Sequence, residues 1–210
     1  MKNNETNNEK CCVTNCDLDL GTEFWDNQYK SNTIGWDLGE VSPPLKKYFD
    51  QLTDKNISIL IPGCGNTYEA EYLQSLGFKN ITLIDLSPTL VKKLQSKFKN
   101  NPTIKILQGD FFEHNGKYDL IIEQTFFCAI SPSLREKYAI KMHELLSKNG
   151  KLVGLLFDRT FEFQGPPFGG CKCEYTPFFE DKFIFKYFDK CYNSFSKRAD
   201  TELFINLIKK

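Results

Sequence analysis

"LIPGCGNTYE", residues 60–69, decides how the chain is read. An apolar run stops at Pro62, and two glycines, Gly63 and Gly65, flank Cys64. Glycines directly after a buried strand let the backbone turn sharply and approach a ligand with no Cβ in between. The stretch is half of a dinucleotide loop, because Tyr68 stands where a third glycine would fall. Glu69 and Glu71 then put negative charge in the first turn of the next helix, where a pyrophosphate needs positive potential. No G-K-[ST] follows, which removes the P-loop reading. The loop suits a nucleoside cofactor without phosphates.

Outward from this loop, strand and helix signals alternate. "ISILIP" is a continuous apolar run, as expected of a strand buried on both faces. "TYEAEYLQSLG" puts Ala70, Leu73 and Leu76 on one helical face and stops at Gly77. "ITLID" is a second strand closed by Asp85, and "SPTLVKKLQSKF" a helix with Ser87 as N-cap and Pro88 at its first position. "IKILQGD" and "YDLIIEQTFF" give the third and fourth strands, and "KLVGLLF" the fifth. A helix over residues 134–147 buries Tyr138, Met142, Leu145 and Leu146 and ends at "NG". After Phe157 a Gly/Pro-rich loop leads to two adjacent strands, read as an antiparallel hairpin at the sheet edge. The implied fold is α/β: a mostly parallel Rossmann-like sheet with helices on both faces and a C-terminal antiparallel hairpin. That pattern fits the class I S-adenosylmethionine (SAM) methyltransferase sheet better than a two-half dinucleotide domain. The cationic sulfonium and ammonium of SAM also suit the acidic helix start.

Composition sets the limits. The 210 residues are 40% hydrophobic, with 19 phenylalanines, which is enough for one domain with apolar pockets. Lys plus Arg equals Asp plus Glu at 27 each, so no net field invites nucleic acid or an anionic membrane. No apolar run approaches the ~20 residues of a membrane span. The first twenty residues lack the marks of a signal or transit peptide. The expectation is a cytoplasmic monomer acting on a small-molecule acceptor, with residues 1–20 a disordered leader and 21–210 a single domain. Eight cysteines form no C-x-x-C pairs, and His114 and His143 stand at no ligand spacing to them, so no metal site is predicted. The thiols are predicted to be reduced: Cys11, Cys12 and Cys16 in the leader, Cys171 and Cys173 in a loop, Cys191 in a strand. Cys64 and Cys128 are read as small apolar packing residues.

Candidate site residues fall at strand ends. Asp85, about 20 residues beyond the loop, is placed to accept hydrogen bonds from both ribose hydroxyls; its plainer reading is a charge at a helix N-terminus. Asp110, in "QGDFF", can meet an adenine amino group while Phe111 or Phe112 packs on the ring. Trp25, Tyr29 and Trp36, within residues 21–50, read as an aromatic lid that encloses a cation and excludes water, or as a cap packed on the core.

The blocks "FWDNQYKSNTIGWDLG", "LIPGCGNTYE", "LIDLS", "GDFF", "YDLIIEQTFFCAISPSLREKYAIKMHELL" and "GPPF" resemble, in order and spacing, the thiopurine S-methyltransferase superfamily, and especially its thiol and halide methyltransferase branch. The resemblance covers the chain from about Phe24 to the C-terminus. It implies cofactor contacts at Trp25, Tyr29, Trp36, Gly63, Asp85, Asp110, Phe111 and Gln124. Tyr29 replaces a tryptophan usual in plant relatives and keeps an aromatic face. Gln124 replaces a family tyrosine that helps shape the acceptor site. Arg135, after the "AISPS" loop, matches a family arginine held to lie near the acceptor; its other reading is a surface arginine beside Glu136.

The resulting expectation is SAM-dependent methyl transfer to a small soft nucleophile: a thiol, hydrosulfide, thiocyanate or halide. A thiopurine or other aromatic thiol is the alternative acceptor. A nicotinamide oxidoreductase lacks its third glycine and second half. A non-catalytic SAM-binding protein is the other rival, suggested by Gln124.

Overall fold

The computed structural model describes residues 19–210, so the leader cysteines Cys11, Cys12 and Cys16 lie outside the described residues. Seven strands form one sheet: β1 (Ser58–Pro62), β2 (Asn80–Asp85), β3 (Ile104–Gln108), β4 (Tyr118–Gln124), β5 (Leu146–Phe157), β6 (Phe183–Lys190) and β7 (Glu202–Lys209). Their order is β3-β2-β1-β4-β5-β7-β6. The first five are parallel, and β7 runs antiparallel to both its neighbours. The order reverses between β1 and β4, so the chain leaves these two strands in opposite lateral directions. A crevice opens at their C-terminal ends, where doubly wound sheets bind ligands.

Six helices flank the sheet among the described residues: α1 (Thr22–Lys30), α2 (Pro43–Phe49), α3 (Tyr68–Ser75), α4 (Pro88–Lys97), α5 (Arg135–Leu145) and α6 (Lys172–Phe179). Ser87 caps α4 as predicted, accepting from Leu90 N at 3.1 Å. One core packs around Ile59, Ile61, Leu73, Leu90 and Leu94; the other packs around Leu60, Ile121, Tyr138, Met142 and Tyr175. Each face of the buried strands β1 and β4 feeds one of them.

Several sequence expectations need correction. The helix predicted to run to Ser147 ends at Leu145, because Leu146 already pairs with Tyr118 and its side chain is fully buried. Asn149, at φ 60°, turns the chain within β5 instead of ending a helix. The C-terminal hairpin is antiparallel, but only β6 is at the edge; β7 lies between β5 and β6 and is the more buried strand. Helix α6 occupies what reads as loop, since Pro177 and the nearby glycines obscure its signal. Its Tyr175 and Phe179 pack on Phe127. Cys191 follows β6 instead of lying in it. Cys171 and Cys173 form a disulfide, against the expectation of reduced thiols, because the N-terminal turn of α6 brings the pair together. Cys64, Cys128 and Cys191 are free and buried.

Candidate active site

The β1–α3 loop is shaped by close approaches. Gly63 and Gly65 both have positive φ, +54° and +51°. A Cβ at Gly63 would overlap the Phe126 ring, so only glycine fits beneath that wall. Thr67 and Thr125 also take left-handed conformations, at φ 57° and 59°. Such strain in β-branched residues marks a functional site, and both line the same cavity.

That cavity has a volume of about 570 Å³. Trp25, Tyr29, Trp36, Gly63, Asp85, Asp110, Phe111 and Gln124 all line it. The rings of Trp25 and Tyr29 each meet Trp36 edge to face, with centroids 5.6 and 5.8 Å away. The lid is tied to the loop through Asp37, which accepts from Asn66 Nδ2 and, at 3.3 Å, from Tyr68 Oη. Ser42 Oγ reaches Gln124 Oε1 at 3.2 Å and joins the lid to the end of β4. Asp110 accepts from Phe112 N at 2.8 Å and starts the single turn Phe111–Glu113 that sets the Phe111 ring.

Three carboxylates at this crevice are buried. Asp85 accepts from Ser87 N at 3.0 Å and, weakly, from Gly65 N at 3.4 Å. Burial pushes its pKa up to about 6, against backbone hydrogen bonds that lower it. Glu69 is raised to about 7, also by burial. Glu123, fully buried, accepts from Phe126 N and Phe127 N at 2.7 and 3.0 Å and from the Tyr138 hydroxyl. Burial raises it to about 7 as well. A Cβ at Gly154 on β5 would overlap Glu123, so that glycine makes room for the β4 backbone beside it. Glu123 thereby fixes the turn that carries Gln124, Thr125 and Phe126. Sequence reasoning passed over it, although an acid directly after the apolar run "LII" at residues 120–122 was the available signal.

Arg135 is the predicted residue that the structure does not bring to the cavity. It is 2% exposed and donates to the carbonyls of Phe168 and Gly169 at 3.3 and 2.8 Å. Its guanidinium also lies over the Phe127 and Tyr175 rings. The loop it anchors carries Pro166 and Pro167, which line the cavity wall.

The model of the thiopurine S-methyltransferase family matches residues 20–202, nearly the whole described chain. The chain belongs to that family. It is 33% identical over 156 residues to "Probable thiol methyltransferase 2" of Arabidopsis thaliana, covering 72% of this chain and 69% of that protein. "Thiocyanate methyltransferase 1" of Brassica oleracea is 28% identical over 149 residues, covering 69% and 66%. A thiopurine S-methyltransferase of Aliivibrio fischeri is 28% identical over 165 residues, covering 70% and 76%. Among solved structures, the Burkholderia thailandensis 1,6-didemethyltoxoflavin-N1-methyltransferase with bound S-adenosylhomocysteine superposes with a TM-score of 0.72. It is 14% identical and covers 90% of this chain and 87% of that one, so the likeness concerns fold. The chain is a SAM-dependent methyltransferase by family. Its own residues fit the cofactor: the glycine cradle that a Cβ would fill, the weakly satisfied carboxylate of Asp85, and the buried Thr67 hydroxyl without a protein partner beside them. No helix among the described residues is long and apolar enough to cross a membrane.

Proposed function

We propose that the enzyme methylates a small soft nucleophile, such as a thiol, hydrosulfide, thiocyanate or halide. One observation carries the reading: among the described residues, no lysine, arginine or histidine lines the cavity, and its charged lining residues are all acids. Such a wall offers an acceptor neither an imidazole base nor a cationic partner for a carboxylate or phosphate. A soft anion needs neither, since it arrives ionised or ionises readily. When bound, SAM supplies an electrophilic methyl group on a cationic sulfonium. The residues of this chain then bind, orient and exclude water.

In this reading Asp85 accepts the ribose hydroxyls, Asp110 and Phe111 hold the adenine, and the rings of Trp25, Tyr29 and Trp36 face the sulfonium. Phe126, Ile130, Leu134 and Pro167 form an apolar wall suited to the acceptor. With SAM held there, that wall would orient the nucleophile toward the methyl group, which would pass to it as the carbon–sulfonium bond broke, releasing S-adenosylhomocysteine. The alternative, an aromatic thiol, is favoured by the ring faces of Phe112 and Phe126. The equal numbers of acids and bases give no net field for nucleic acid or an anionic membrane, and the proposal includes a monomer in the cytoplasm with residues 21–210 as one domain. The test is S-adenosylhomocysteine release from SAM across hydrosulfide, alkyl thiols, iodide, thiocyanate, an aromatic thiol and its carboxylated analogue. Turnover of the small nucleophiles is expected. Turnover of the carboxylated aromatic thiol alone would overturn the reading.

A further inference from the structure

Residues 31–42, which carry Trp36, contain no helix or strand. Their position depends on side-chain ties. Those through Asp37 and Ser42 reach the β1–α3 loop, the start of α3 and the end of β4. Another comes from the far end of the chain. Arg198, in the β6–β7 connector, donates from Nη2 to the Trp36 carbonyl at 2.7 Å across 162 residues of sequence.

Arg198 is 8% exposed and Glu202 is 3% exposed, and the two form an ion pair at 3.3 Å. The guanidinium also lies 5.3 Å from the centre of the Phe157 ring, at the end of β5. A buried arginine is tolerated when its rigid fork finds matched acceptors. Here one arm takes the carboxylate of β7 and the other takes a lid carbonyl. Fixing the carbonyl of residue 36 fixes the indole that both Trp25 and Tyr29 meet edge to face.

We propose that Arg198 is the positioning residue that holds the aromatic lid closed over the cofactor, so that retention of SAM depends on the C-terminal hairpin as well as on the glycine loop. The proposal rests on the cofactor assignment and is independent of the acceptor. It makes β6 and β7 more than an edge of the sheet: their connector supplies the arginine that bonds the lid backbone.

The test uses the whole chain and the paired variant R198M/E202Q, which leaves no uncompensated buried carboxylate. The chain has two tryptophans, and both line this cavity, so intrinsic fluorescence reads the lid without any ligand. In the free variant the emission is expected to shift to the red and acrylamide quenching to rise, with far-UV circular dichroism unchanged. Dissociation of S-adenosylhomocysteine, followed by stopped flow, is expected to accelerate about fivefold. R198K, which keeps the charge without the fork, is expected to fall between. A folded R198M/E202Q with wild-type emission and dissociation would overturn the proposal. Should that variant not fold, R198K with wild-type values in both readouts overturns it equally. If wild type binds neither SAM nor S-adenosylhomocysteine, the cofactor assignment fails instead, and the emission of the free proteins still decides whether Arg198 holds the lid.

Discussion

Two aspartates flank the same serine and have opposite characters. Asp26, on α1, accepts from Ser87 Oγ at 2.7 Å and Thr89 N at 2.8 Å and pairs with Lys30 at 2.7 Å. The Lys30 and Ser87 contacts hold its carboxyl well below the ordinary carboxylate range. Asp85, at the end of β2, accepts from Ser87 N, has no ion-pair partner among the described residues, and is raised to about 6 by burial. One carboxylate is fully partnered and docks α1 onto the start of α4. The other is buried with acceptor capacity to spare, an arrangement that costs stability and makes sense when a ligand completes it. Under the proposed function, stability and binding are divided between these two aspartates.

The comparison can be broken most directly at Asp85. Asp85→Asn is expected to weaken SAM binding by about 1.5–3 kcal/mol, the scale of a lost charge-assisted hydrogen bond. The same change should stabilise the free protein at pH 8 by about 1–3 kcal/mol, since the fold no longer has to bury an ionised carboxylate. Calorimetric binding and thermal melts read the two effects, and a variant that lost both affinity and stability would contradict the division.

Asp26→Ala should do the reverse, costing about 1–3 kcal/mol of stability, with a smaller loss of affinity than Asp85→Asn. The pH dependences differ in sign. Asp26, with a lowered folded pKa, contributes stability above its ordinary value of 3.8, and that contribution is lost as pH falls through the lower folded value. Asp85, Glu69 and Glu123 have raised folded values, so the folded state binds more protons there. Their effect is a loss of stability as pH rises from their ordinary values, 3.8 and 4.5, to about 6–7. Melts of wild type and Asp85→Asn between pH 4 and 8 should converge toward the acid end; parallel curves would show that Asp85 is not raised. The smallest expected effect is that of Trp36→Ala, about 1 kcal/mol in SAM affinity from a lost cation–π face. A large loss of stability with unchanged affinity would return Trp36 to a packing role.

What was legible in the sequence follows local physics. The apolar runs of β1, β2 and β4, the Ser87 cap and the glycine pair were readable because short windows determine them. Gly63, Asp85, Asp110 and Gln124 were readable because they sit at or just past strand ends, and Trp25, Tyr29 and Trp36 because they are aromatic anchors in a polar stretch before the sheet. Asp26 and Arg198 were not, since their partners lie 61 and 162 residues away. Arg135 was misplaced because a helix start near a strand end does not tell which way a long side chain turns; Phe127, Tyr175 and two loop carbonyls draw it inward. The position of β7 inside the sheet follows from which strand buries both faces, and "KFIFKYF" and "ELFINLI" look alike in that respect.

The most direct measurement is calorimetric titration of SAM into wild type and Asp85→Asn across pH 5 to 8. Ionisation of Asp85 as a ribose acceptor predicts that wild-type affinity tightens as pH rises through about 6, and that the variant binds weakly at every pH without that step. Equal affinities for the two proteins throughout the range would contradict it.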